Sequence, residues 1–250
     1  MHQSAVRSSL WRSVVPLLAL LLLAACTAPG PARLRPHWAA EPGRGAVSGH
    51  TVTGPRHGLD AATFTLESGV TAVTVRVADL GDELFRVRTP DGAGVAPRID
   101  RRGADLRLTT QGTGMSGPAE LDVTLHREVA WHLRLGGGSG DERIDLRGGV
   151  VTAVDFVAGA GRISLALPAP RGTVPVRMTG GADDFQVRLT GRAPVRVRIG
   201  GGAGSASVDG RAQNGVPGET VIEGSGWAAA RDRYDVDLAA GVSRFFLDRE

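Results

Sequence analysis

The chain has 250 residues, with 29 basic side chains, all of them arginine, against 26 acidic ones; 42% of it is apolar and it carries 36 glycines and one cysteine. A single cysteine excludes an internal disulfide framework. The near balance of charge, with arginines alternating with acids and only four Trp, six Phe and one Tyr, leaves neither a basic stripe nor stacking platforms for nucleic acid.

The first twelve residues hold Arg7 and Arg12 and no acid, and an apolar run from Val14 to Leu23 follows. This is the layout of a secretory signal. At about ten residues the run is half of what a spanning helix needs, and Pro16 interrupts it. It ends in Leu23-Ala24-Ala25-Cys26, which resembles the bacterial lipobox. The resemblance implies cleavage after residue 25, lipidation of Cys26 and residence on the extracytoplasmic face of the cell membrane. Two or three acyl chains, at roughly 0.8 kcal/mol per buried methylene, hold a protein stably at a membrane surface. Removing residues 1–25 removes two arginines and no acid, leaving 27 basic against 26 acidic residues. Arginine without lysine, beside abundant Ala, Gly and Val, fits the coding of a high-GC bacterium such as an actinobacterium.

Residues 26–58 are dominated by Ala, Pro, Gly and Arg without apolar period, and read as a lipidated cysteine followed by a flexible tether. From residue 59 short alternating runs take over: Thr63 to Leu66, Ala72 to Val77, Leu84 to Arg88, Asp105 to Leu108, Leu121 to Leu125 and Trp131 to Leu135. Period-two alternation bounded by Gly, Pro and Asp is the strand signal, so residues 59–250 are expected to be an all-β domain.

The second half repeats. Glycine clusters lead into alternating runs at Gly138, Gly159, Gly180 and Gly201, and aligning them on Ile144, Ile163, Phe185 and Ala206 gives a unit of about 20 residues. Gly241 to Phe245 returns about two units later. A second strand falls within each unit, at Val150 to Val157, Val174 to Met178, Val195 to Ile199, Thr220 to Ile222 and Tyr234 to Leu238. A two-strand unit cannot bury its apolar face alone, whereas stacked units share one core. The expected fold is therefore a glycine-rich stack of β-strand repeats, a β-solenoid, with glycine supplying positive-φ corners. Val195-Arg-Val-Arg-Ile199 and Phe185-Gln-Val-Arg-Leu189 put aliphatics on the buried face and arginines on the wet one.

Glycine-led β units after a lipoprotein signal resemble the bacterial β-strand-repeat proteins of the putative-adhesin and unknown-function type, and are similar to the C-terminal domains of cell-wall-antibiotic-response proteins. The resemblance covers residues 59–250. It implies a β-solenoid-like fold and brings no catalytic residue.

No constellation of nucleophile, base and carboxylate stands out, and no Gly-x-Ser-x-Gly elbow occurs. The glycine runs beginning at Gly137 and Gly201 echo a calcium nonapeptide but recur at about 20 residues rather than nine. Asp183, Asp184, Asp232, Asp235 and Asp237 read as solvated acids, and His126, Glu128 and His132 fall short of a zinc set. No cofactor and no metal are expected. The expected function is a membrane-anchored, non-enzymatic, adhesin-like envelope module for structure or protein interaction. The alternative is a ligand-binding or stress-sensing lipoprotein that recognises a glycan or an anionic lipid precursor. Its contacts would come from Trp131, Trp227, Tyr234, Arg134, Arg188 and Arg198, converging in one groove.

Overall fold

The computed structural model describes residues 49–250; the signal segment, the lipobox with Cys26 and most of the tether lie outside the described residues. In chain order the strands are β1 (Thr51–Pro55), β2 (Ala61–Leu66), β3 (Val70–Ala78), β4 (Glu83–Arg88), β5 (Val95–Arg102), β6 (Asp105–Gly112) and β7 (Glu120–His126). There follow β8 (Ala130–Leu135), β9 (Ser139–Asp145), β10 (Val150–Phe156), β11 (Ala160–Leu167), β12 (Thr173–Met178) and β13 (Ala182–Leu189). The last are β14 (Val195–Ile199), β15 (Ala203–Val208), β16 (Arg211–Val216), β17 (Thr220–Glu223), β18 (Arg233–Leu238) and β19 (Val242–Arg249). The only helical turn among the described residues is a single 3-10 turn, Trp227–Ala229.

Two sheets result. Sheet A has ten strands in the order β1-β4-β7-β3-β9-β11-β13-β19-β15-β16, and sheet B nine in the order β17-β14-β18-β12-β10-β8-β2-β6-β5. A parallel pair needs a crossover of a dozen or more residues between its strands. The repeat supplies it by sending the chain through the facing sheet, so that β8, β10 and β12 pair in parallel in one sheet and β9, β11 and β13 in the other. The inner faces close one apolar core that runs from Phe64 to Leu247. Both halves of the domain therefore belong to one stack, joined where β8 meets β10 and β3 meets β9.

The ends depart from the sequential winding that the repeat suggests. Near the C-terminus β14 and β15 lie one place too far out, and β18 and β19 fill the gap between them and β12 and β13. Near the N-terminus β6 and β7 pair with one side of β2 and β3 while β8 and β9 take the other. Antiparallel strands finish each end: β4 and β5 with β1 at one, β16 and β17 at the other. The result is an all-β body of two mixed, open sheets. The chain-order solenoid expected from the period is corrected to this extent.

Three strands carry no apolar alternation and escape the sequence pattern. β1 lies inside the segment read as tether, so folded structure starts before residue 59; like β16 it is an edge strand with little burial. β5 is the edge of sheet B.

Register explains a further offset. The core column of sheet A runs through Val73, Glu142, Ile163, Phe185, Phe245 and Ala206. Glu142, not Ile144, is thus the partner of Ile163. A slip of two residues keeps the same face, and alternation alone cannot detect it. Phe185 packs edge-to-face with Phe156 across the core and with Phe245 along the column, at 5.2 and 5.7 Å between ring centroids.

Gly202 has the positive φ expected of a repeat corner, at 81°, whereas Gly137 and Gly180 serve close approach instead. A Cβ on Gly137 would overlap the carbonyl of Ser68 in the neighbouring corner, and one on Gly180 the backbone of Ala158. Neither has a positive φ.

Candidate functional site

In a parallel, in-register sheet the same position of successive repeats stacks at about 4.8 Å, so equal charges would meet directly. This chain alternates their sign. On the outer face of sheet B one column reads Arg134, Asp155, Arg177, Asp237, Arg198 across β8, β10, β12, β18 and β14. Asp155, 8% exposed, is its anchor. His132 Nε2 lies 2.7 Å from its Oδ2, Arg134 donates to the same oxygen at 3.4 Å, and the Arg177 guanidinium stands 3.7 Å from Oδ1.

One column over, Arg196 forks onto Asp235 with bonds of 3.1 and 2.9 Å, which raises the guanidinium pKa further. The Arg196 guanidinium also lies 3.6 Å from the ring centroid of Trp227, with Arg233 at 4.3 Å. Trp227 Nε1 donates to the Tyr234 carbonyl at 2.7 Å. These contacts fasten the 3-10 turn over the end of sheet B.

The outer face of sheet A has a matching column, Asp141, Arg162, Asp184, Arg244, in which the Arg244 guanidinium holds the Asp184 carboxyl below its usual range. Beside it run two columns with small members: Thr74, Arg143, Ser164, Gln186, and Arg76, Asp145, Ala166, Arg188, which continue on β19 as Phe246 and Asp248. The short side chains of Ser164 and Ala166 on β11 leave a hollow between the longer ones of β9 and β13. It opens into a trough of about 430 Å³ lined by both columns and Arg147.

Three of its arginines are held by acids at its rim. Arg76 binds Asp122 at 2.6 Å, Arg143 binds Asp141, and Arg147 binds Asp145 and Glu250 at 2.6 and 2.7 Å. Arg147 keeps the Asp145 carboxyl below its usual range. Arg188 forms no ion pair among the described residues, and no side-chain hydrogen bond within them engages Thr74, Ser164 or Gln186. The trough thus combines one free guanidinium with two hydroxyls and a carboxamide.

The structure separates the side chains expected to converge. Trp131 is fully buried and donates to the His126 carbonyl at 2.9 Å; Tyr234 is fully buried and bonds the Pro168 carbonyl. Both face the core and present nothing to a ligand. Trp227 is 7% exposed beneath its two arginines. Arg134 and Arg198 share a column on sheet B with three strands between them, and Arg188 is on sheet A. Burial explains the aromatic misplacement: the same large apolar rings that suit a sugar face also fill a core.

All but Asp183 of the acids and histidines weighed for metal are engaged elsewhere among the described residues. Asp184, Asp235 and Asp237 pair with arginines, Asp232 accepts from the Gly172 amide at 2.6 Å, and His126 Nε2 lies 3.1 Å from the Gly81 carbonyl. No group of three His, Cys, Asp or Glu among the described residues could hold a metal ion.

Glu142 stands apart. It is 2% exposed in an otherwise apolar column, takes one bond from Ser139 Oγ at 2.8 Å on Oε1, and Oε2 has no partner among the described residues. Burial pushes its carboxyl up to about 7.

Sequence reasoning missed Asp155, Glu142 and the trough residues Arg76, Arg143, Ser164 and Gln186. Their signal lies across the repeats rather than along the strands. Aligned by the observed register, one outward position reads Asp141, Arg162, Asp184, Arg244, an alternation invisible within any single run.

No protein-family model matches the chain, and no curated protein matches it. Among solved structures, a putative cell adhesion protein from Clostridium sporogenes shares the fold with a TM-score of 0.61 at 17% identity, over 81% of this chain and 99% of that one. Putative adhesins from Bacteroides fragilis and Parabacteroides merdae align over 80% and 82% of this chain and 97% of each of theirs, at 8% and 10% identity, with TM-scores of 0.24 and 0.22. The first likeness is one of fold; the scores of the other two are too low to carry an argument.

Proposed function

We propose that this chain is a lipid-anchored envelope protein whose folded domain is a non-enzymatic, adhesin-like module, built as a variant β-solenoid and working through its outer faces. The observation that carries the reading is the pair of broad faces on which outward charges alternate strand by strand. Such faces resist indiscriminate like-charge or edge contact while offering a fixed pattern to one complementary surface. The fold shared with the Clostridium sporogenes protein supports it, since that protein is named for cell adhesion. The sequence likeness to the C-terminal domains of cell-wall-antibiotic-response proteins belongs to the same reading. Anchorage rests on Leu23-Ala24-Ala25-Cys26.

Two measurements test it. Fatty-acid labelling is expected in the wild type and lost in Cys26→Ala; equal label in both contradicts the anchor. A photo-crosslinking side chain placed on the outer face at Thr65 of sheet B or Ser164 of sheet A is expected to join one reproducible envelope component from one face and not the other. No adduct from either face contradicts the module.

A second reading, recognition of a glycan or an anionic lipid precursor, is favoured by one observation, the trough around Ser164. A recessed hollow on a sheet face suits a soluble or chain-end group better than the plane of a bilayer.

A further inference from the structure

From the donors that remain free in the trough, we infer that the outer face of sheet A binds an acidic saccharide of about two residues, with its carboxylate on Arg188. This rests on the second reading above and gives it a place and a ligand class.

The size comes first. The trough spans β3, β9, β11 and β13, three strand spacings or about 14 Å, and about 430 Å³. Both lie in the range of sites that bury most of a small ligand. Inorganic phosphate is far smaller than this hollow.

The chemistry of the lining narrows the class. Arg188 projects from β13 with its guanidinium in no ion pair among the described residues, and a planar guanidinium grips a carboxylate through two parallel bonds. Arg143, two strands away, gives one nitrogen to Asp141 and keeps its other donors. Ser164 on β11, between them, and Gln186, on β13 with Arg188, offer hydroxyl and carboxamide groups, which both donate and accept and so match sugar hydroxyls. Ala166 adds a small apolar patch to the lining on which a pyranose C–H face can rest.

Charge balance argues against a polyanion that binds by charge alone. Arg76, Arg143 and Arg147 are already matched by Asp122, Asp141, Asp145 and Glu250. Arg188 has Asp248 as its register neighbour on β19 but forms no ion pair with it, and a single guanidinium of this kind suits one carboxylate and would give a shallow dependence on salt. The lining contains no aromatic ring; the one exposed ring nearby, Phe246, stands one strand beyond Gln186 on β19.

The experiment is calorimetric titration of the full chain in detergent with digalacturonate, its dimethyl ester and inorganic phosphate. Expected are saturable binding of digalacturonate, at least tenfold weaker binding of the neutral ester, and none of phosphate at the same concentration. Arg188→Gln should weaken digalacturonate at least tenfold and Ser164→Leu, which fills the hollow, should abolish it. Arg162→Gln, in the neighbouring column outside the trough, should bind as the wild type does. Hydrogen exchange of β11 and β13 in each variant shows whether the sheet is intact, and loss of binding is scored only where it is. Equal binding of acid and ester overturns the carboxylate assignment, phosphate binding as tight as digalacturonate overturns the saccharide, and no binding by an intact sheet overturns the site. If the site fails while the Ser164 or Thr65 crosslink to an envelope component persists, the interaction module stands without this ligand.

Discussion

In the middle of the stack, β8, β10 and β12 lie side by side in one sheet and β9, β11 and β13 in the other, each two places on along the chain from the last; at both ends that rule is broken and antiparallel strands are added. The middle is held by repetition: glycine corners that touch, aliphatic columns that continue, outward charges that alternate. The ends rely on particular side chains instead, such as Trp227 between Arg196 and Arg233. Repetition alone would leave edge strands ready to pair with another chain. The exceptional contacts sit where the repeat has to stop.

Substitution in the two regions should separate these mechanisms. The largest effect is expected at a middle corner: Gly180→Val forces a side chain into the backbone of Ala158 and should cost about 4 kcal/mol in urea unfolding. Gly172→Ala, at a turn with φ 77° and open space around it, should cost only about 1 kcal/mol. Equal losses would mean that corner packing does not set the stack.

Trp227→Ala should cost about 3 kcal/mol, and its signature is local. Amide exchange should quicken in β14 and β17 and stay unchanged in β8 to β13. Uniform acceleration would show that end and middle unfold together.

Glu142 tests the middle from within. Its folded pKa of about 7 lies above the ordinary 4.5, so the folded state binds the proton more tightly than the unfolded state. Its favourable contribution is complete below pH 4.5, declines as pH rises through 7, and is absent above. Glu142→Leu should flatten that decline and raise stability at pH 8 by about 2 kcal/mol. An unchanged pH profile would place the titration elsewhere.

The smallest effect is expected on the wet face. Asp155→Asn removes the acceptor shared by His132, Arg134 and Arg177 and should cost about 1 kcal/mol, less at high salt. Thermal melts at two ionic strengths read it.

These sites also mark what the sequence reveals. The middle was legible because alternation and glycine spacing are local signals: β9, β11, β13 and β15 all follow the glycine clusters that predicted them. Burial of Phe185 and Ile163 and exposure of Arg188 and Arg198 follow from the same alternation. The order of the ends was not legible, because β14 and β18 have equally good aliphatic faces and nothing local in either says which lies next to β12. The trough was hidden for a related reason. Thr74, Arg143, Ser164 and Gln186 are far apart in sequence and become neighbours only through a register that alternation fixes to within two residues. The ligand residues proposed from aromatic content failed at Trp131 and Tyr234 because an aromatic ring in a strand carries the same letter whether it faces core or solvent.

Strand order underlies both the charge ladders and the trough, and one cross-linking measurement addresses it directly. In a Cys26→Ser background the chain has no other cysteine. Thr74 is the register partner of Arg143, and Asp122 lies on the far side of Thr74. A disulfide forms only where Cα atoms approach within about 7 Å. The pair Thr74→Cys with Arg143→Cys should oxidise to a disulfide, whereas Asp122→Cys with Arg143→Cys, two strand spacings apart, should not. Rapid oxidation of the Asp122 pair and none of the Thr74 pair would contradict the stack, because it would place β7 beside β9 as winding in chain order requires.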